Sequence, residues 1–81
     1  PNHPNPFNPV TRIAYRLEKR GAVSLRIFDV SGREVAVPVL AVQSAGVHWV
    51  EFHAGSLASG IYFVQAQANG MNAMRKLMLV K

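Results

Sequence analysis

His48, Glu51 and His53 are side chains of the types that hold a divalent metal, and they fall within one short stretch, which makes them the first candidates for chemistry in this chain. The stretch Val47 to His53 alternates in the manner of a strand. His48, Val50 and Phe52 then share one face, and Val47, Trp49, Glu51 and His53 share the other. A straight strand cannot aim both histidines at one ion, so neither a metal nor a cofactor is expected here. Asp29 has no neighbouring acid, base or nucleophile to make it catalytic. Just ahead of Val30-Ser31-Gly32, its carboxylate is suited to accept turn N–H groups, and Arg33 is placed to pair with it. Ser24, Ser31, Ser44, Ser56 and Ser59 lie in strand patterns or glycine turns, without a Gly-x-Ser-x-Gly elbow or an acid–base set. Phosphate-cradling glycine loops are also missing. No catalytic residue is expected. Trp49 could stack on a sugar, but a single Trp in a small β domain is expected to cover the sheet. The sugar-binding alternative would require Trp49, Tyr15 and Tyr62 to form an exposed row.

The elements that position these residues read as strands throughout. Ile13, Tyr15 and Leu17 alternate with Arg12, Ala14 and Arg16, and Lys19-Arg20-Gly21 then turns the chain. Val23, Leu25 and Ile27 form the inner side of a second strand. Phe28 breaks that pattern, and is expected near a sheet edge over a neighbouring loop or else as an exposed contact. Val30-Ser31-Gly32 fits a three-residue hairpin loop with glycine at positive φ. After Glu34-Val35-Ala36-Val37, Pro38 removes a ladder donor, so the segment from there through Gln43 is expected to be an edge strand or an irregular crossover. Ser44-Ala45-Gly46 forms the next turn. From Ala54 to Gly60 the chain is a small-residue loop with Leu57 dipping into the core. Ile61 to Gln67 is apolar on both faces at its start, as a central strand would be. Asn69-Gly70 is a strong two-residue hairpin signal, setting Tyr62 opposite Leu77 and Ala66 opposite Ala73. The pattern predicts an all-β, antiparallel Ig-like β-sandwich of six or seven strands.

Composition narrows the function classes. Eighty-one residues without cysteine make one small domain, 1–81, with no disulfide or thiolate site to support it. The immunoglobulin cysteine pair is therefore absent. No apolar run approaches the roughly 20 residues of a membrane-spanning helix. Nine Lys and Arg against four Asp and Glu give a net charge of +5. The cations are dispersed and lack interleaved aromatics, so no nucleic-acid partner is expected. They are read as solvated strand faces and protected edges. The chain begins at Pro1 with no visible signal peptide, which is expected of a module excised from a larger secreted protein.

Four motifs add a resemblance that spans essentially the whole chain: Pro4-Asn5-Pro6-Phe7-Asn8-Pro9, the stretch from Leu25 to Ala36, Ser59-Gly60-Ile61-Tyr62-Phe63, and Arg75 to Lys81. In this order they resemble the C-terminal sorting domain, type A, of type IX secretion substrates, a family of small Ig-like modules also related to the Ig-like domain of the flagellar hook-capping protein. The resemblance implies a non-catalytic signal at the C-terminus of an upstream cargo. It also implies two partners, an outer-membrane translocon and a sortase-like peptidase that removes the module as cargo becomes attached at the cell surface, after passage through the periplasm. The positions carried over for partner recognition are Pro4, Asn5, Pro6 and Phe7; Phe28, Asp29, Gly32 and Arg33; and Lys76, Leu77, Leu79, Val80 and Lys81. His53 departs from the acid that many members carry there, and Pro38 lengthens the middle connection. A cell-attachment or carbohydrate-binding module of an extracellular hydrolase is one alternative, and a passive Ig-like spacer is another. The isolated module is expected to be a monomer or a weak dimer, and its last strand and the edge it creates are expected to carry export.

Overall fold

Period-two alternation becomes two stacked antiparallel sheets in the computed structural model, which describes residues 10–80. The strands are β1 (Val10–Leu17), β2 (Gly21–Phe28), β3 (Glu34–Gln43), β4 (Gly46–His53), β5 (Gly60–Ala68) and β6 (Met71–Leu79), with no helix among the described residues. β1 pairs with β4 in a small sheet, and the larger sheet has the order β3-β2-β5-β6. This all-β arrangement is consistent with the expected Ig-like sandwich.

The core lies between the sheets and is built from the inner set of each strand. Val23, Leu25 and Ile27 of β2 are 3%, 1% and 0% exposed, and they meet Leu17, Val39, Phe52, Tyr62, Val64 and Leu79. Ala54 is fully buried at the end of β4, and Leu57 packs against the same cluster from the loop before β5. Tyr62 retains a polar partner despite its burial, since its hydroxyl donates to the Ala58 carbonyl at 2.7 Å.

β3 is an edge strand, as Pro38 requires. Leu25 faces Val39 and Ile27 faces Ala36, so two steps along β2 correspond to three along β3. The extra residue is a bulge, and it falls where Pro38 cannot donate to the ladder. The β5–β6 register also follows the sequence. Asn69 and Gly70 both have positive φ, 53° and 78°, and the hairpin sets Tyr62 opposite Leu77 and Ala66 opposite Ala73. Asn69 has a second role: its side-chain amide donates to the Lys19 carbonyl at 3.2 Å, tying this hairpin to the β1–β2 turn.

Candidate functional site

The larger sheet presents an apolar outer face at the end where β2 leaves and β5 enters. Phe28 lies opposite Glu34 on β3 and Phe63 on β5, and Phe63 lies opposite Lys76 on β6. One row across the sheet therefore reads Glu34, Phe28, Phe63, Lys76. Side chains directly opposite one another share a face of the sheet, so this row is continuous on the outside of the sandwich. The next pairings place Gln65 opposite Met74 and Ile61 opposite Met78, and both methionines are exposed. Phe28, Phe63, Gln65 and Met74, with Asp29, Val30 and Gly32 from the turn, enclose a shallow recess of about 320 Å³. Its aromatic and thioether walls suit an apolar anchor from a partner.

The turn beside the recess is held from within. Asp29 Oδ1 accepts the Ser31 hydroxyl at 2.6 Å and the Ser31 and Arg33 backbone N–H groups at 2.9 and 3.0 Å. The Gly32 N–H donates to the Asp29 carbonyl, and Gly32 sits at a φ of 89°. The Arg33 guanidinium approaches the other Asp29 oxygen at 3.3 Å. The Ser31 hydroxyl first, then the Arg33 N–H, hold the Asp29 carboxyl below its ordinary value of 3.8. A carboxylate with a lowered folded value stabilises the fold above its unfolded value, and the benefit is lost as pH falls through the folded one. Melting midpoints measured between about pH 5 and pH 2 should therefore fall less steeply in Asp29→Ala than in the native chain. Equal slopes would show that the carboxylate does not latch this turn.

The positions expected to recognise partners divide into two groups. Leu79 is buried in the core at 4% exposure, Leu77 faces inward and is half-buried, and Asp29 and Gly32 shape the turn. Phe28, Arg33, Lys76 and Val80 remain reachable, and Phe28 and Lys76 are joined by Phe63 between them. Pro4, Asn5, Pro6, Phe7 and Lys81 lie outside the described residues. Phe63, Met74 and Met78 were missed as surface residues. For Phe63 the available signal was the apolar run at the start of β5, which has too many apolar residues for one buried face.

Two expectations hold only in part. Of the two places expected for Phe28, the sheet edge does not hold, since β2 is an interior strand; Phe28 lies at its end on the outer face, half-exposed beside the Asp29 to Gly32 turn, in keeping with the other. Trp49 covers its sheet only in part. It is 55% exposed on the outside of the smaller sheet, with the Arg12 guanidinium 4.1 Å from its ring centre. The reason is parity, since the inner positions of β4 are taken by His48, Val50 and Phe52. Tyr15 faces inward, stacked on His48 with centroids 5.6 Å apart, and Tyr62 is buried. The exposed aromatic row required for sugar binding by Trp49, Tyr15 and Tyr62 therefore does not form. His48 donates from Nε2 to the Ser44 carbonyl at 2.7 Å, whereas His53 lies on the opposite face, 3.8 Å from Glu51. The two imidazoles do not converge.

Comparison with known proteins gives one match: the family model described as the secretion system C-terminal sorting domain covers residues 3–81. Searches of curated proteins and of solved structures return no significant match. None of these comparisons reaches the flagellar hook-capping protein.

Proposed function

The chain belongs to the family of secretion system C-terminal sorting domains, and from that premise we propose that its outer row Phe28, Phe63 and Lys76 is what the export machinery reads. The family assigns a C-terminal secretion signal of the type IX kind, which implies export to the cell surface or beyond, and its members act as signals, not as catalysts. Under the proposal the chain is itself non-catalytic. An outer-membrane translocon engages the domain, and a sortase-like peptidase then releases it while the upstream cargo is attached at the surface.

The observation that carries the proposal is the register placing two separated motifs in one row. Phe28 from the central motif and Lys76 from the terminal motif are distant in sequence but flank Phe63 on adjacent strands. Apolar anchors beside a cation give a partner both desolvated contact area and charge selection. β6 is also the edge of its sheet, so a partner strand could add to it along the same side.

The test fuses residues 1–81 to the C-terminus of a reporter bearing a signal peptide, in a bacterium with type IX secretion. A second fusion carries Phe63→Ser with Lys76→Glu, two changes on the outer face. The native fusion should reach the surface and the variant should accumulate in the periplasm, with the purified variant still melting cooperatively. Equal export of both would reject the row as the recognised feature. Retention of both would reject the sorting assignment.

A further inference from the structure

A second surface lies on the other side of the sandwich, where the two sheets fail to match. β1 pairs only with β4, and its other edge has no strand neighbour among the described residues. Beyond that edge, Met71, Ala73 and Arg75 of β6 are in register with the inward-facing Ala68, Ala66 and Val64, yet all three are exposed. The smaller sheet is too narrow to cover them. The gap forms a cavity of about 490 Å³, whose apolar walls include Leu17, Leu25, Ala66, Ala68 and Ala73. The alanines give this slot its depth, because a methyl group leaves room for a larger side chain above it.

We propose that this slot accepts a β-strand from a protein of the export machinery, added to the free edge of β1, with apolar residues facing in and acidic residues facing out. The proposal rests on the sorting function and names a surface and partner chemistry that it lacks. Strand addition supplies backbone hydrogen bonds to the unpaired groups of β1, and alternate side chains supply specificity. An incoming strand lies about 4.8 Å from β1, and its residues opposite Ile13, Tyr15 and Leu17 point into the apolar slot. Those opposite Arg12 and Arg16 point outward beside two guanidinium groups. Arg12 already faces Glu51 and Trp49, whereas Arg16 has no ion-pair partner among the described residues; Glu18 and Lys19 both stand at the same mouth of the cavity. An outward acid opposite Arg16 therefore meets a guanidinium that no ion pair already engages.

Charge and sequence together argue against an occupant from this chain. Its acids are Glu18, Asp29, Glu34 and Glu51, with no two spaced to fall on one face of a short strand. A second copy thus has no segment of the required pattern. The stretch before β1 contains no acid, and Pro1, Pro4, Pro6 and Pro9 lack the N–H donors that strand pairing uses.

The probe is a capped octapeptide in which valine alternates with glutamate or threonine, titrated into the isotopically labelled chain. Amide shifts should map to β1 and the slot. A peptide with lysine for glutamate should bind at least about tenfold more weakly, as should the native peptide to Arg16→Glu or to Ala73→Phe, which fills the slot from an exposed position. Shifts confined to the β6 edge, equal binding of the lysine peptide, or no effect of Ala73→Phe would overturn the proposal. The Ala73→Phe reporter fusion separates it from the sorting assignment. Retention of Ala73→Phe beside an exported native fusion supports the slot, and export of both rejects it. Retention of the native fusion would instead reject sorting, while the peptide titration still decides the slot.

Discussion

Ile27→Ala should cost the domain about 2–5 kcal/mol, seen as a lower midpoint in both thermal and urea unfolding. Ile27 has no exposed surface and lies on β2, the interior strand where both β3 and β5 pair. Removing three carbons there loses transfer free energy and leaves a void that the surrounding strands cannot close without moving. A chain of this size has a total stability on the order of 4–12 kcal/mol, so the loss is a large share of it. Val30→Ala, at a turn residue 74% exposed, should change the midpoint little. If the two substitutions cost the same, the core is not centred on β2.

Deleting residues 76–81 should abolish cooperative unfolding altogether. The deletion removes Leu79 from the core, removes the half-buried Leu77, and strips β5 of its partner from Gly60 to Phe63. Each lost leucine belongs to a class of change costing about 2–5 kcal/mol when the site is buried, and the exposed edge of β5 becomes open to aggregation. Amide shifts of the truncated chain should collapse toward unfolded values, with no thermal transition above room temperature. A truncated chain that still melts within a few degrees of the native one would mean that the last strand is a separable signal. Loss of export after truncation thus reports unfolding as much as recognition. Substitutions on the outer face, which leave Leu77 and Leu79 in place, are the ones that address recognition.

The local features of this fold were legible in adjacent residues. The Asn69-Gly70 hairpin, the Asp29 turn with Gly32 at positive φ, and the edge status of the Pro38 strand each follow from a few neighbouring side chains and the backbone conformations they allow. Inner and outer faces were legible too, because alternation is a property of one strand at a time. The family motifs were equally readable, and the match over residues 3–81 agrees with them.

Strand order was not readable in this way. Which strands pair across the chain, β1 with β4 and β2 with β5, depends on how the inner faces of all six are buried together. That choice is a sum over contacts between residues far apart in sequence, and no short window contains it. The consequences for function follow from it. Only the tertiary arrangement brings Phe28, Phe63 and Lys76 into one row, and only it sets Arg12 of β1 over Trp49 of β4. The slot beside β1 has the same origin, since it arises from packing two strands against four. The sequence by itself determined the strands, their faces and their tight turns, whereas the tertiary structure decided which faces meet and which are left open to partners.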